Sequence, residues 1–241
     1  MKKASVKNTF QRFTKNTLPF LREAGSQTEN KWLHDHESEY EQHLRGPFTA
    51  LVEQLKDTLR TSAGDYLFPS RNLAKIKKMA HRVASGEPVN KDWVSVSASR
   101  PQISRFERYP HLFFGILPDQ PEWQGIFITG GLFMPTSAQI KKVRLGIAKN
   151  SEPFHQLFSD AGFKMKFPDG FSKRQMGVRV PLGFDATHPD IEWLKQKSFM
   201  VERNVTIAEF TSTAFFDSVA VDFVQLLKLN RLLEDILEGE E

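Results

Sequence analysis

The chain has no cysteine. That absence excludes disulfides, cysteine nucleophiles, thiolate zinc sites and iron–sulfur ligation. Long apolar runs are missing too: the longest, such as Leu112 to Leu117, fall far short of the ~18 residues of a membrane span. Behind Met1-Lys2-Lys3 no apolar stretch follows that would act as a signal peptide. A soluble, cytoplasmic protein with no membrane partner is the expectation. There is no G-x-G-x-x-G, no G-K-[ST] and no H-E-x-x-H, so neither a nucleotide loop nor a familiar zinc helix is on offer, and no cofactor is expected.

What is present is ordinary for a globular chain: 241 residues, 39% apolar and 26% charged. At this length folding buries roughly 70–75% of the extended surface, so no metal staple is needed. The net charge of +4 hides segregation along the chain. Residues 67–108 and 141–180 each carry nine bases against three acids, whereas 204–241 carry two against eight. Brought together, the two basic blocks would make one electropositive surface; alternation of solvated helix faces is the plainer reading.

Helical spacing of Trp32, Leu33, His36, Tyr40 and Leu44 predicts a helix from about Asn30. Gly46-Pro47 should interrupt it, with Pro47 in the first turn of a successor striped by Phe48, Leu51, Val52, Leu55 and Leu59. Leu73, Ile76, Ala80 and Val83 predict another helix over 71–84. From Asp92 to Phe133 the period changes to strands: Val94 and Val96 alternate with serines, His111 to Leu117 reads as a buried strand, Pro118 to Trp123 as a turn, and Ile126 to Ile128 as a strand again. Short connections favour antiparallel pairing. Thr136 or Ser137 should cap a helix carrying Ile140, Val143, Arg144 and Ile147, and a short helix should follow near Glu152 to Phe158. Val178 and Val180 suggest a strand ending at Pro181; Pro189 should open a helix through Leu194, and Phe199 to Val205 should be a strand. A long helix should run from about Ser212 to Leu237. The reading is α+β, a largely antiparallel sheet packed with helices from both ends of the chain. Its layout is a basic N-terminal extension or first helix over 1–25, one α+β domain over 26–237 and an acidic tail at 238–241.

Several spaced segments resemble the family catalogued as domain of unknown function 2461. Trp32, His36, Tyr40 and Pro47 match its opening pattern N-x-x-W-F-x-x-H-x-x-x-Y and the proline beyond. Gly130-Gly131 through Pro135 resembles its Gly-Gly segment, and Arg144 falls where its helix has an Ile/Val-Arg pair. Gly183 to Pro189 and Lys197-Ser198-Phe199 resemble its later Asp-x-x-His-Pro and Lys-Ser-Phe elements. The family's stretch R-D-x-R-F-S-x-D-K-x-P-Y-K has no counterpart in Arg71 to Pro101, which makes the chain a divergent member. The resemblance implies a fold and a set of positions, not a reaction.

From those positions, Trp32, His36, Tyr40, Arg144 and Lys197 are the candidate ligand-binding residues, in a hollow between the Trp32–Tyr40 helix and the Asp185–Lys197 region. Arg144 and Lys197, with His188, suit a small phosphate- or carboxylate-bearing ligand. Asp185 and His188 are the candidate acid–base pair of a hydrolase or transferase, with Ser172, Ser198 or Thr187 as available hydroxyls; no G-x-S-x-G elbow surrounds these, and turn capping is the plainer role. Within the cluster of His34, His36, Glu37, Glu39 and His43, His36 with Glu39 or His43 has the residue types of a metal site. The H-E-x-x-H spacing is absent, a hydrogen bond at a helix interface is the plainer role, and no metal is expected. Basic–aromatic interleaving at Arg105 to Tyr109 and Phe163 to Phe167, within the basic segments 67–108 and 141–180, describes a nucleic-acid-binding module or any half-buried strand, and is the less favoured reading. Gly130-Gly131 should relieve the backbone at a strand bend.

Overall fold

The structure is a computed structural model and describes residues 9–102, 104, 106–119 and 125–239. Residues 120–123 of the expected turn, Arg105 of the basic–aromatic run, the first eight residues and the final Glu240-Glu241 lie outside the described residues. The N-terminal helices are α1 (Thr17–Ser26), α2 (Asn30–Asp35), α3 (Glu37–Tyr40), α4 (Gly46–Thr58) and α5 (Arg60–Ala63). The sheet comprises β1 (Val94–Ser99), β2 (His111–Leu117), β3 (Gly125–Leu132) and β4 (Phe199–Asn204). Between β3 and β4 lie α6 (Ser137–Lys149), α7 (Glu152–Ser159), α8 (Ala161–Lys166) and α9 (Ile191–Leu194); α10 (Ile207–Phe210) and α11 (Phe215–Glu238) complete the fold.

The four strands pair antiparallel in the order β1-β2-β3-β4. This is the expected α+β arrangement, with α11 packing on β2 and β3 and α4 reaching β2 through Phe48 against Phe114. Phe114 of β2 meets Phe13, Phe48 and Phe215, so the core joins residues about 200 positions apart. Gly130 lets α11 come close, since a Cβ there would stand 3.0 Å from Leu226. Gly131, expected as relief at a bend, has φ 117° and faces the Phe199 carbonyl, where a Cβ would not fit. Among the described residues no helix is long and apolar enough to cross a membrane.

Four expectations are corrected. Gly46-Pro47 does not break the helical path: a π-type turn over Glu41–Arg45 carries it into α4, with Pro47 in the first turn. The fully buried Thr17 hydroxyl donates to the His43 carbonyl at 2.8 Å, an acceptor that Pro47, lacking an N–H, cannot serve. Residues 71–84 form no helix beyond a 3₁₀ turn at Ala80–Arg82. Asn72 and Ala74 adopt φ of 56° and 55°, and the backbone bonds instead to residues 89–91. Val178 and Val180 are not in a strand: the backbone tie to residues 195–197 ends at Gly177, and Val178 stands 93% exposed. Phe163 to Phe167 is not strand-like either, because α8, capped by Asp160, buries both phenylalanines on one side. Of the two readings of residues 1–25, the first helix is present as α1, whose Phe20, Leu21 and Ala24 are buried, while the short α5, α8 and α10 have no counterpart in the sequence reading.

Candidate functional site

Alternation along the strands sorts their side chains onto two faces. Val94, Val96, Leu112, Phe114, Ile116, Ile126, Ile128 and Val201 belong to the core beneath the helices. The opposite set comprises Ser95, Ser97 and Ser99 on β1, His111, Phe113, Gly115 and Leu117 on β2, Phe127 and Thr129 on β3, and Met200 and Glu202 on β4. Phe113, Phe127 and Met200 stand apart from the main core. With Leu117 and Phe133 they line a hollow of about 190 Å³ open to solvent. Phe113 and Phe127 stack at 5.5 Å between centroids. Gly115 leaves the space into which they lean, since a Cβ would lie 2.7 Å from the Phe113 ring and 2.6 Å from Leu117.

His111 and Phe133 also border a second, more polar hollow of about 280 Å³, lined by Ser97, Ser99, Gln102, Arg108 and Tyr109. Each is below the ~300–1,000 Å³ of a usual ligand pocket. Burial pushes the His111 pKa down, offset in part by a backbone bond at Tyr109, so its imidazole is neutral at pH 7. Arg108 is held by its backbone. Gln139 accepts from its N–H at 3.1 Å and donates to its carbonyl at 2.7 Å, while also closing the Thr136 capping box that starts α6. The Arg108 guanidinium is exposed and has no carboxylate partner among the described residues. At the other end of the face Glu202 accepts from Ser172 at 3.0 Å and from Arg174 at 2.7 Å.

The residues singled out in the sequence lie elsewhere, in two groups. Trp32 stacks on His36 and packs on Phe20; the His36 Nδ1 bonds the Trp32 carbonyl at 2.8 Å, and the Tyr40 hydroxyl donates to the Ala74 carbonyl at 2.9 Å. Burial raises the Tyr40 pKa. This group sits with α1, which is tied to residues 89–92 at the β1 edge. The second group surrounds α9 beside β4. Arg144 donates to the Gln196 carbonyl at 2.9 Å, its Nε is buried without a partner among the described residues, and burial lowers its pKa. Lys197, next in the chain, is exposed. Since β1 and β4 are opposite edges of the sheet, the expected hollow between the two groups does not form.

Asp185 and His188 each serve a turn. Asp185 Oδ1 accepts from the Thr187 N–H and hydroxyl, both at 2.8 Å, and these bonds hold its carboxyl below the usual range. His188 Nδ1 accepts the Asp190 N–H at 3.0 Å. The carboxylate-oriented imidazole here is another one: His155 Nε2 lies 2.7 Å from the buried Asp190. Ser172 and Ser198 donate to Glu202 and Gln175, and no imidazole contacts either hydroxyl among the described residues. No group of three or more metal-binding side chains occurs among the described residues.

Residues 16–231 match the model of the family described as conserved hypothetical protein (DUF2461). The chain belongs to that family. No curated protein and no solved structure matches it. The DUF2461 assignment agrees with the resemblance carried by Trp32, His36, Tyr40 and the later segments. The family description names no reaction, so chemistry has to come from the geometry. Outer-face residues such as His111, Phe113 and Arg108 went unread as a site. Their signal was the serine alternation of β1 beside two phenylalanine-bearing strands, which marks a sheet with one face left to solvent.

Proposed function

We propose that the protein binds a small anionic ligand with a flat apolar body, seated on the outer face of the sheet. One juxtaposition carries the reading: an apolar floor of Phe113, Phe127 and Met200 lies beside a more polar hollow at Arg108, Ser97 and Ser99, with neutral His111 bordering both. An aromatic ring over Phe113 gains offset-stacking energy of about 0.5–1.5 kcal/mol beyond its area burial. A carboxylate or phosphate at Arg108 gains a charge-assisted bond of about 1.5–3 kcal/mol. The anionic chemistry is that expected from the sequence; the seat is different.

The test is a thermal-shift series with benzoate, phenyl phosphate, a nucleoside monophosphate and the neutral analogue phenol. At ~100 times its dissociation constant a true ligand adds about 2.7 kcal/mol, a rise of roughly 5–10 °C for a chain of this size. Phe113→Ala should weaken every responding compound about tenfold or more while the protein stays folded. Arg108→Ala should abolish the preference for charged over neutral compounds. If no compound shifts the midpoint, or both variants bind as tightly as the parent, the outer face is not the seat.

A further inference from the structure

Seven of the thirteen arginines among the described residues lie against carboxylates. Arg22 meets Asp119, Arg45 meets Glu37 and Glu41, Arg100 meets Asp65 and Glu238, and Arg203 meets Glu209 and Asp222. Residues 71–91 depart from that pattern, with six lysines and arginines against one acid, Glu87. Two backbone bonds fold this stretch into a short ribbon: Lys78 N–H to the Val89 carbonyl and Lys91 N–H to the Ile76 carbonyl, both 2.9 Å. The ribbon carries Lys75 and Lys77 on one side and Lys78 and Lys91 on the other, with Lys75 near enough to Lys91 for its charge to be felt there. None of them has a carboxylate partner among the described residues. Lys78 Nζ donates to the Pro88 carbonyl at 2.9 Å, and Lys91 Nζ lies 4.2 Å from the Trp93 ring centroid. Lys91 is partly buried, and that burial together with the charge of Lys75 pushes its pKa down.

The ribbon is also held in place. The buried Tyr40 hydroxyl bonds the Ala74 carbonyl, and the left-handed Asn72 and Ala74 fix its entry. Non-glycine residues stay in that region only where their surroundings dictate it. The fold therefore keeps Lys75 and Lys91, which repel each other, on one short ribbon with no carboxylate partner for either among the described residues.

We propose that this ribbon docks the sugar–phosphate backbone of a nucleic acid. Phosphates arrive in a row and need only point charges, which lysine supplies without bidentate geometry. A protein partner would want a buried apolar centre. Met79 is the only large apolar side chain counted as exposed in this stretch. The site is separate from the ligand seat of the outer face and stands or falls without it.

The experiment is fluorescence anisotropy of the full chain with a labelled 20-nucleotide single-stranded RNA and a 20-base-pair DNA, from 25 to 200 mM salt. Four neutralised phosphates give a log–log slope of about −3.6 on duplex and about −2.8 on single strand. The double variant Lys75→Gln/Lys91→Gln should lower the slope by roughly 1.5 and weaken binding at least tenfold at 25 mM salt. Its thermal midpoint should not fall, because the pair it removes is repulsive. Lys141→Gln/Lys149→Gln, on exposed positions of the second basic stretch, should leave binding unchanged. Undetectable binding at 25 mM salt overturns the proposal. So does equal binding by the ribbon variant, or binding to polyglutamate or anionic vesicles as tight as to nucleic acid.

Discussion

The two faces of the sheet use alternate residues of the same four strands and meet opposite neighbours. Phe114, on the inner face, is fully buried among the rings of Phe13, Phe48 and Phe215. Phe113, one residue earlier, stacks on Phe127 and borders a hollow open to solvent. The inner face even contains its own ion cluster: Arg203 of β4 reaches Asp222 and Glu209 beneath α11. The contrast teaches that apolar content does not say where the stabilising work is done. Inner-face side chains hold the fold, and outer-face side chains are available for recognition.

The sharpest way to break that comparison is Phe114→Ala. It should cost about 3–5 kcal/mol in denaturant unfolding, whereas Phe113→Ala should cost about 1 kcal/mol or less and act on ligand affinity instead. Equal losses at the two positions would end the distinction. Next in size is Arg203→Ala, at about 3 kcal/mol. It leaves the fully buried Asp222, whose pKa burial already raises, with Lys166 at 3.4 Å as its remaining cation. The double variant Arg203→Met/Asp222→Leu should recover most of the loss; no recovery would show that the pair is not a unit. The smallest effect concerns pH. His111 has a lowered pKa in the folded protein, while the unfolded chain takes up its proton near pH 6.5. Below that pH the unfolded state binds more protons, so stability should fall on acidification, and His111→Gln should flatten the dependence. Unfolding midpoints at pH 5.0 and 7.5 for both proteins decide it.

Strand positions were legible because their signals are local. His111 to Leu117 was read with its observed bounds, and Val94–Ser99 by alternation. The Thr136 cap and the long α11 were equally plain. Over 71–84 local spacing misled: Leu73, Ile76, Ala80 and Val83 fit a helix, but the backbone bonds are made with residues 89–91, which no periodicity reports. Most of the candidate site was hidden for a related reason. His111 to Leu117 reads as one apolar run, and whether Phe113 or Phe114 faces the helices depends on which side α4 and α11 occupy. Trp32 and Arg144 were noticed as separate signals, and nothing local says that they end at opposite edges of the sheet.

By itself the sequence determined the absence of cysteine chemistry, the four strands of the sheet, the capped α6 and the family, because composition, periodicity and short motifs are properties of neighbouring residues. Only the tertiary structure decided which sheet face is covered, where the lysines of 71–91 gather and how far Trp32 lies from Lys197. Those depend on strand order and helix packing, which join residues far apart in the chain.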